Sequence, residues 1–310
     1  MKLLVVLCAV LAVTSAAGIH DALVAKWSPT VADDSLYSIP TTKGGLDNDA
    51  ISWVQVPGDA GDPFTIHCEN DNERYCVLFD LNGFIAGEQY SIPDEDIANV
   101  SGNYSFENVP SFRRTTRFGR NVWTGTAFFV SPTVLDNGGR TDLSEGTIVE
   151  LWVQKGDSYK TAEQIPLDRF DLEANTNYLL CNCVPGMGIH YYTEMYQAGS
   201  CDKFDPWFLM YTGFHMYTAV RVDGNCNDFE PWFLLYVGLD FVGLGFQSFG
   251  RAQVRPNIRH YDENIPLDDF LFIVPSAPKC FTDLYAGDGA ISLRTFFVSD
   301  PLADNWCPEI

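Results

Sequence analysis

The distribution of apolar residues commits this chain to sheets. Short runs rich in Val, Ile, Tyr, Phe and Trp recur along it: Ile51–Val56, Tyr75–Phe79, Trp123–Val130, Ile148–Val153, Tyr178–Val184 and Phe270–Val274. Gly, Asn, Asp and Pro punctuate the gaps, and Asp136-Asn137-Gly138-Gly139 and Asp223-Gly224-Asn225 are strong turn signals. β-branched and aromatic side chains pack well on a pleated surface, so such runs between turn formers predict strands. No helix-period run of useful length is present, and Asp94–Val100 and Thr282–Ala286 are expected as single helical turns. The expected fold is all-β, a disulfide-bonded antiparallel sandwich or barrel.

At 310 residues and 46% hydrophobic content the chain can bury a sizeable core. Acidic residues outnumber basic ones 41 to 19, which disfavours nucleic acid as a partner. Met1-Lys2 followed by the apolar run Leu3–Val13 and the small residues Thr14 to Gly18 reads as a secretory signal peptide over residues 1–18. The expected destination is extracellular. Trp232–Phe246 is too short and too interrupted to span a bilayer, and is expected as a buried β-hairpin. Residues 19–63 are richer in Asp, Gly, Ser and Thr and are expected to form a loosely packed arm, with the β-rich domain over 64–310.

Cys8 leaves with the signal peptide. Cys68, Cys76, Cys181, Cys183, Cys201, Cys226, Cys280 and Cys307 remain, an even count that favours disulfides in a secreted chain. Spacing leaves their pairing open. Asn99-Val100-Ser101 and Asn103-Tyr104-Ser105 are N-glycosylation sequons at Asn99 and Asn103, following the polar run Pro93 to Asp96.

A gapless duplication relates residues 188–212 to 213–237, with 12 of 25 positions identical. Each copy is expected to form a strand, a turn carrying its cysteine, and a second strand. In an extended strand His190 shares a face with Tyr192, and His215 with Tyr217. If the copies pack alike, two His-x-Tyr faces stand side by side. With His260, and His67 as a further candidate, they could hold a transition metal, because neutral imidazole is a common metal ligand. The competing reading makes these side chains core groups copied with a folding unit. Acidic stretches such as Asp47-Asn48-Asp49, Glu69 to Glu73 and Asp94 to Asp96 raise calcium as another cation, but none has EF-hand spacing and solvated loops are the expected role. Trp123, Trp152, Trp207 and Trp232 could stack on a sugar or flat ligand, and core packing is the alternative. No nucleophile elbow, P-loop, dinucleotide fingerprint or H-E-x-x-H motif is present.

The hairpin Val77-Leu78-Phe79-Asp80-Leu81-Asn82-Gly83-Phe84-Ile85-Ala86-Gly87, the motif Cys183-Val184-Pro185-Gly186-Met187-Gly188-Ile189-His190-Tyr191 and the motif Phe229-Glu230-Pro231-Trp232-Phe233-Leu234-Leu235-Tyr236 occur in this order, with Val274-Pro275-Ser276-Ala277-Pro278-Lys279-Cys280 near the end. In these the chain resembles a group of secreted invertebrate proteins with no assigned activity, over about residues 60 to 300. Those proteins carry the duplicated unit once, and tend to have a His in the last strand, where this chain has Ile291 to Phe297. The resemblance implies a secreted, β-rich protein and supplies no reaction.

Three functions fit. The first is a secreted β-rich glycoprotein that binds a small ligand, a metal or the extracellular matrix. The second is a secreted oxygen-using oxidoreductase, a metal-dependent oxidase or luciferase type, which requires His190, His215 and His260 to converge on one pocket. The third is a structural coat, shell or egg protein.

Overall fold

The computed structural model describes residues 20–27, 36–100, 104–175, 178–184, 188–193, 214–219, 231–237, 240–256, 258–259, 262–263, 266–268, 271 and 279–301. The chain is mostly β-structure arranged as two sheets. The first is built from β3 (Trp53–Val56), β4 (Phe64–Glu69), β5 (Tyr75–Asp80), β6 (Ile85–Pro93), β7 (Arg113–Arg117), β8 (Arg120–Phe128), β9 (Leu151–Gln154) and β10 (Ala162–Ile165). Its spatial order is β10-β9-β8-β6-β5-β4-β3, with β7 paired to β8, and every pair is antiparallel.

The second sheet uses β1 (Val24–Lys26), β2 (Leu36–Ser38), β11 (Tyr178–Val184), β12 (Gly188–Thr193), β13 (Phe214–Ala219), β14 (Trp232–Val237), β15 (Asp240–Phe249), β16 (Asp262–Glu263) and β17 (Ala290–Phe296). Its order is β11-β12-β13-β14-β15-β17-β1-β2, with β16 on β17; β12 and β13 run parallel and the other pairs antiparallel.

The sheets pack face to face as a sandwich. Tyr90 of β6 stacks on Phe246 of β15 with ring centroids 5.0 Å apart and meets Trp232 of β14 edge-on at 5.6 Å. Phe129 meets Phe297 edge-on at 5.0 Å. Sandwiches of this kind gain most of their stability from the inner faces of both sheets. A second apolar layer covers the outer face of the first sheet, where Cys68, Cys76, Leu78 and Phe128 pack against Leu135 and Tyr159. Here α2 (Pro132–Asp136) is capped by Ser131, whose side chain accepts from the Val134 N–H. Strand β5 is therefore buried on both faces, which explains its unbroken apolar run. Cys68 and Cys76 stand opposite each other across β4 and β5 and form a disulfide. Cys280 is also disulfide-bonded.

The strands expected at Tyr75–Phe79 and Tyr178–Val184 are found, and those at Ile51–Val56, Trp123–Val130 and Ile148–Val153 are found with shifted ends. The expected Trp232–Phe246 hairpin is the antiparallel pair β14–β15. The strand expected at Phe270–Val274 and the turn at Asp223 to Asn225 lie outside the described residues, Leu271 excepted. Two expectations change. The described part of residues 19–63 is not a loose arm: β1 and β2 extend the second sheet, β3 extends the first, and Leu23, Ala25 and Ile39 are core residues. Instead of a single turn at Thr282–Ala286, a ten-residue helix α4 (Lys279–Asp288) buries Phe281, Leu284 and Tyr285, the spacing of one helix face. The shorter helices are α1 (Lys43–Leu46) and α3 (Arg169–Asn175). Among the described residues no helix is long and apolar enough to cross a membrane.

Candidate functional site

The equivalent first strands of the two copies, β12 and β13, are neighbours, as duplication suggests. Their register is offset by one: Ile189 stands opposite His215 and His190 opposite Met216. Because strand positions alternate between faces, positions 190 and 215 fall on opposite faces of the pleat, and so do positions 192 and 217. The expected juxtaposition of two His-x-Tyr faces is thus replaced by one such position set on each face. The hairpin partner β14 holds β13 with His215 opposite Tyr236. Tyr192 is on β12 and Tyr217 on β13; Cys181 and Cys183 are on β11, at a register shift in its pairing with β12. His260, Cys201, Cys226, Cys307, Asn103 and Trp207 lie outside the described residues. Asn99 is exposed in the turn after the 3-10 segment Asp94–Asp96. Among the described residues no three His, Cys, Asp or Glu side chains form a cluster able to hold a metal ion.

Trp232, one of the candidate stacking residues, is a core residue wedged between Tyr90 and Phe246. His67, on β4, is buried with its Nε2 3.1 Å from Thr65 Oγ1 and its ring edge-on to Phe79. Burial, and then the nearby Lys43 charge, lower its pKa to about 4. The acidic stretches expected as solvated loops are partly interior. Glu73 is fully buried against Arg255 at 2.7 Å and Arg120 at 3.4 Å, and Asp96 forms a bidentate pair with Arg74 at 2.9 and 3.0 Å. Burying a charge is costly unless it is paired, and these pairs tie the β4–β5 turn to the 251–255 segment.

The described residues enclose a cleft of about 340 Å³ on the outer face of the first sheet. Its floor is Phe64 and Ile66 of β4, Gln89 of β6, Thr124 and Thr126 of β8, and Gln154 of β9. One wall is β7, which supplies Arg113, Thr115 and Arg117. The loop over 57–63 crosses from the β3 edge to meet it. Arg113 Nη2 binds Asp59 Oδ2 at 2.6 Å, and Arg117 Nη1 donates to the Pro57 carbonyl at 3.0 Å. Two features shape the loop: Gly61 has φ +90°, which favours glycine, and the Asp59 N–H donates to Asp62 Oδ2 at 2.9 Å.

Arg117 is the organising side chain. It is only 6% exposed, yet among the described residues it makes no ion pair. Its Nη2 donates to Gln89 Oε1 at 3.1 Å, and Gln89 Nε2 donates to Thr126 Oγ1 at 2.9 Å. Burial pushes its guanidinium pKa down and the Asp62 carboxyl pKa up. A chain of donors thus runs from β7 across β6 to β8, in a cavity with a half-buried Phe64 at one side. Such concave sites with a few convergent polar groups are where small molecules bind. The sequence offered one signal for it, the Arg/Thr-rich run Arg113-Arg114-Thr115-Thr116-Arg117, which by itself fits any solvated edge strand.

No protein-family model matches the chain, and comparison with curated proteins and with solved structures finds no match.

Proposed function

We propose that this chain is a secreted β-sandwich protein that binds a small polar ligand in the cleft between β7 and the 57–63 loop. The observation that carries this reading is Arg117, buried without an ion-pair partner among the described residues and hydrogen-bonded to Gln89 inside a cavity of about 340 Å³. A buried charge is costly, and a cavity beside it leaves polar surface for a ligand to satisfy. The apolar Leu3–Val13 run and the Cys68–Cys76 disulfide support an extracellular site of action. The oxidoreductase reading needed His190 and His215 on one pocket, and the offset register gives it no support.

The test is a thermal-shift screen of the full-length protein against small polar compounds, with mass spectrometry of anything released on denaturing the native protein. A compound that raises the wild-type Tm and leaves Gln89→Met unmoved supports the reading. A screen with no shift and no co-purified small molecule overturns it.

A further inference from the structure

Resting on that reading, we infer that the cleft is built for a neutral, polyhydroxylated ligand, a sugar or related polyol, rather than for an anion. The lining carries opposite charges in equal number, Arg113 and Arg117 on β7 and Asp59 and Asp62 on the 57–63 loop. A charged ligand attracted to either pair is opposed by the other, so the cleft has no net preference for anions or cations.

Most hydrogen-bonding atoms of the charged groups are used inside the protein, except the buried Nε atoms of Arg113 and Arg117, which have no partner among the described residues and are left for a ligand oxygen. Arg113 is held by Asp59. Arg117 spends its Nη donors on the Pro57 and Thr116 carbonyls and on Gln89. What remains is a mixed set of single donors and acceptors. Thr126 accepts from Gln89, which leaves its own hydroxyl proton without an acceptor among the described residues. Thr115 accepts a weak bond from Arg117 at 3.5 Å and keeps its proton in the same way. Asp62 uses Oδ2 for the Asp59 N–H and keeps Oδ1 as an acceptor. Gln154 gives one Nε2 proton to the Gly156 carbonyl and retains the other.

Thr126, Gln89 and Gln154 are each no more than 4% exposed. Their rotamers are therefore set before a ligand arrives, which lowers the ordering cost of binding. A polyol presents what this set requires, since each hydroxyl both donates and accepts, whereas a carboxylate or sulfate only accepts. The apolar side of Phe64 offers a surface for the C–H face of a sugar ring.

The experiment compares neutral monosaccharides and polyols with carboxylates and sulfate by isothermal titration. The full-length protein and two near-isosteric variants, Thr126→Val and Asp62→Asn, are used, and the methyl resonances of Thr115, Thr126 and Ile66 report on the cleft. The expected result is binding of a neutral sugar or polyol that moves those resonances and weakens about ten-fold in each variant, as loss of one hydrogen bond to a substrate hydroxyl implies. If anions bind instead, more tightly in Asp62→Asn, the polyol inference falls and the cleft reading stands. If no compound of either class moves the cleft resonances at its solubility limit, both fall.

Discussion

Thr295 donates its hydroxyl proton to Glu88 Oε1 at 2.8 Å, joining β17 of one sheet to β6 of the other through a polar contact inside the apolar sandwich. Tyr90 donates to the same oxygen at 2.7 Å and Tyr75 to Oε2 at 3.1 Å. Three hydroxyls thus satisfy a fully buried carboxyl group, and a buried polar network of this kind specifies how two apolar faces align.

Glu88 gives the fold a pH dependence with a defined sign. Burial pushes its pKa up to about 7, against the opposing pull of the three hydroxyl donors. The native state then keeps the proton to a higher pH than the unfolded chain. Its contribution is full below the ordinary carboxyl range and is lost as pH rises through about 7. The loss amounts to about 3 kcal/mol. Glu88→Gln keeps the shape and removes the titration, so its stability relative to wild type increases with pH across that window. Urea unfolding at a series of pH values reads this, and a constant difference between the two proteins would show that Glu88 does not titrate there.

His67 produces the opposite slope. With its pKa lowered to about 4, the neutral imidazole is favoured in the native state, so stability is present above the ordinary imidazole range and is lost as pH falls towards 4. Over the shared window the two groups offset each other. His67→Gln is therefore expected to expose the falling Glu88 trend, and Glu88→Gln the rising His67 trend. A His67→Gln curve parallel to wild type would refute the assignment.

The Arg74–Asp96 pair is fully buried, so removing Asp96 takes the counter-charge from a buried guanidinium. Asp96→Asn is expected to destabilise by about 3–5 kcal/mol. Pairing it with Arg74→Met should recover part of that loss, because the buried positive charge goes too. A double-mutant cycle by denaturant unfolding checks this, and strictly additive losses would mean the two groups are not coupled.

Gly125 of β8 keeps the sheets close. A Cβ there would stand 3.0 Å from Trp232 Cζ2 and 3.2 Å from Phe246 Cε2. Gly125→Ala is expected to cost about 1–3 kcal/mol by overpacking. Combining it with Trp232→Phe should relieve part of the cost. If Gly125→Ala unfolds at the wild-type midpoint, the sheet–sheet contact is looser than described.

Strand positions were readable from neighbouring residues alone. Tyr75–Phe79 and Trp232–Phe246 carry apolar and aromatic runs whose burial any sheet would exploit, and Asp80-Leu81-Asn82-Gly83 closes the β5–β6 turn, with Asp80 Oδ1 accepting from the Asn82 and Phe84 N–H groups. The α4 helix was underestimated because its apolar face is carried by Phe281, Leu284 and Tyr285, too few residues to define a period.

Local pattern thus specified that this chain makes sheets, where most of the strands fall and that cysteines would bridge them. It could not specify what surrounds a given polar residue. Glu88 and Gln89 are adjacent, yet one is sealed between the sheets and the other lines the cleft, because successive strand residues point to opposite faces. Glu73 and Asp96 looked like loop charges and are interior because Arg255 and Arg74 meet them there. The cleft exists because Pro57, at the start of a loop, and Arg117, sixty residues on in β7, are brought together. The one-residue offset between β12 and β13 separates two histidines that duplication alone would have aligned. In each case periodicity along the chain sets which way a side chain points, while packing across the chain sets what it meets.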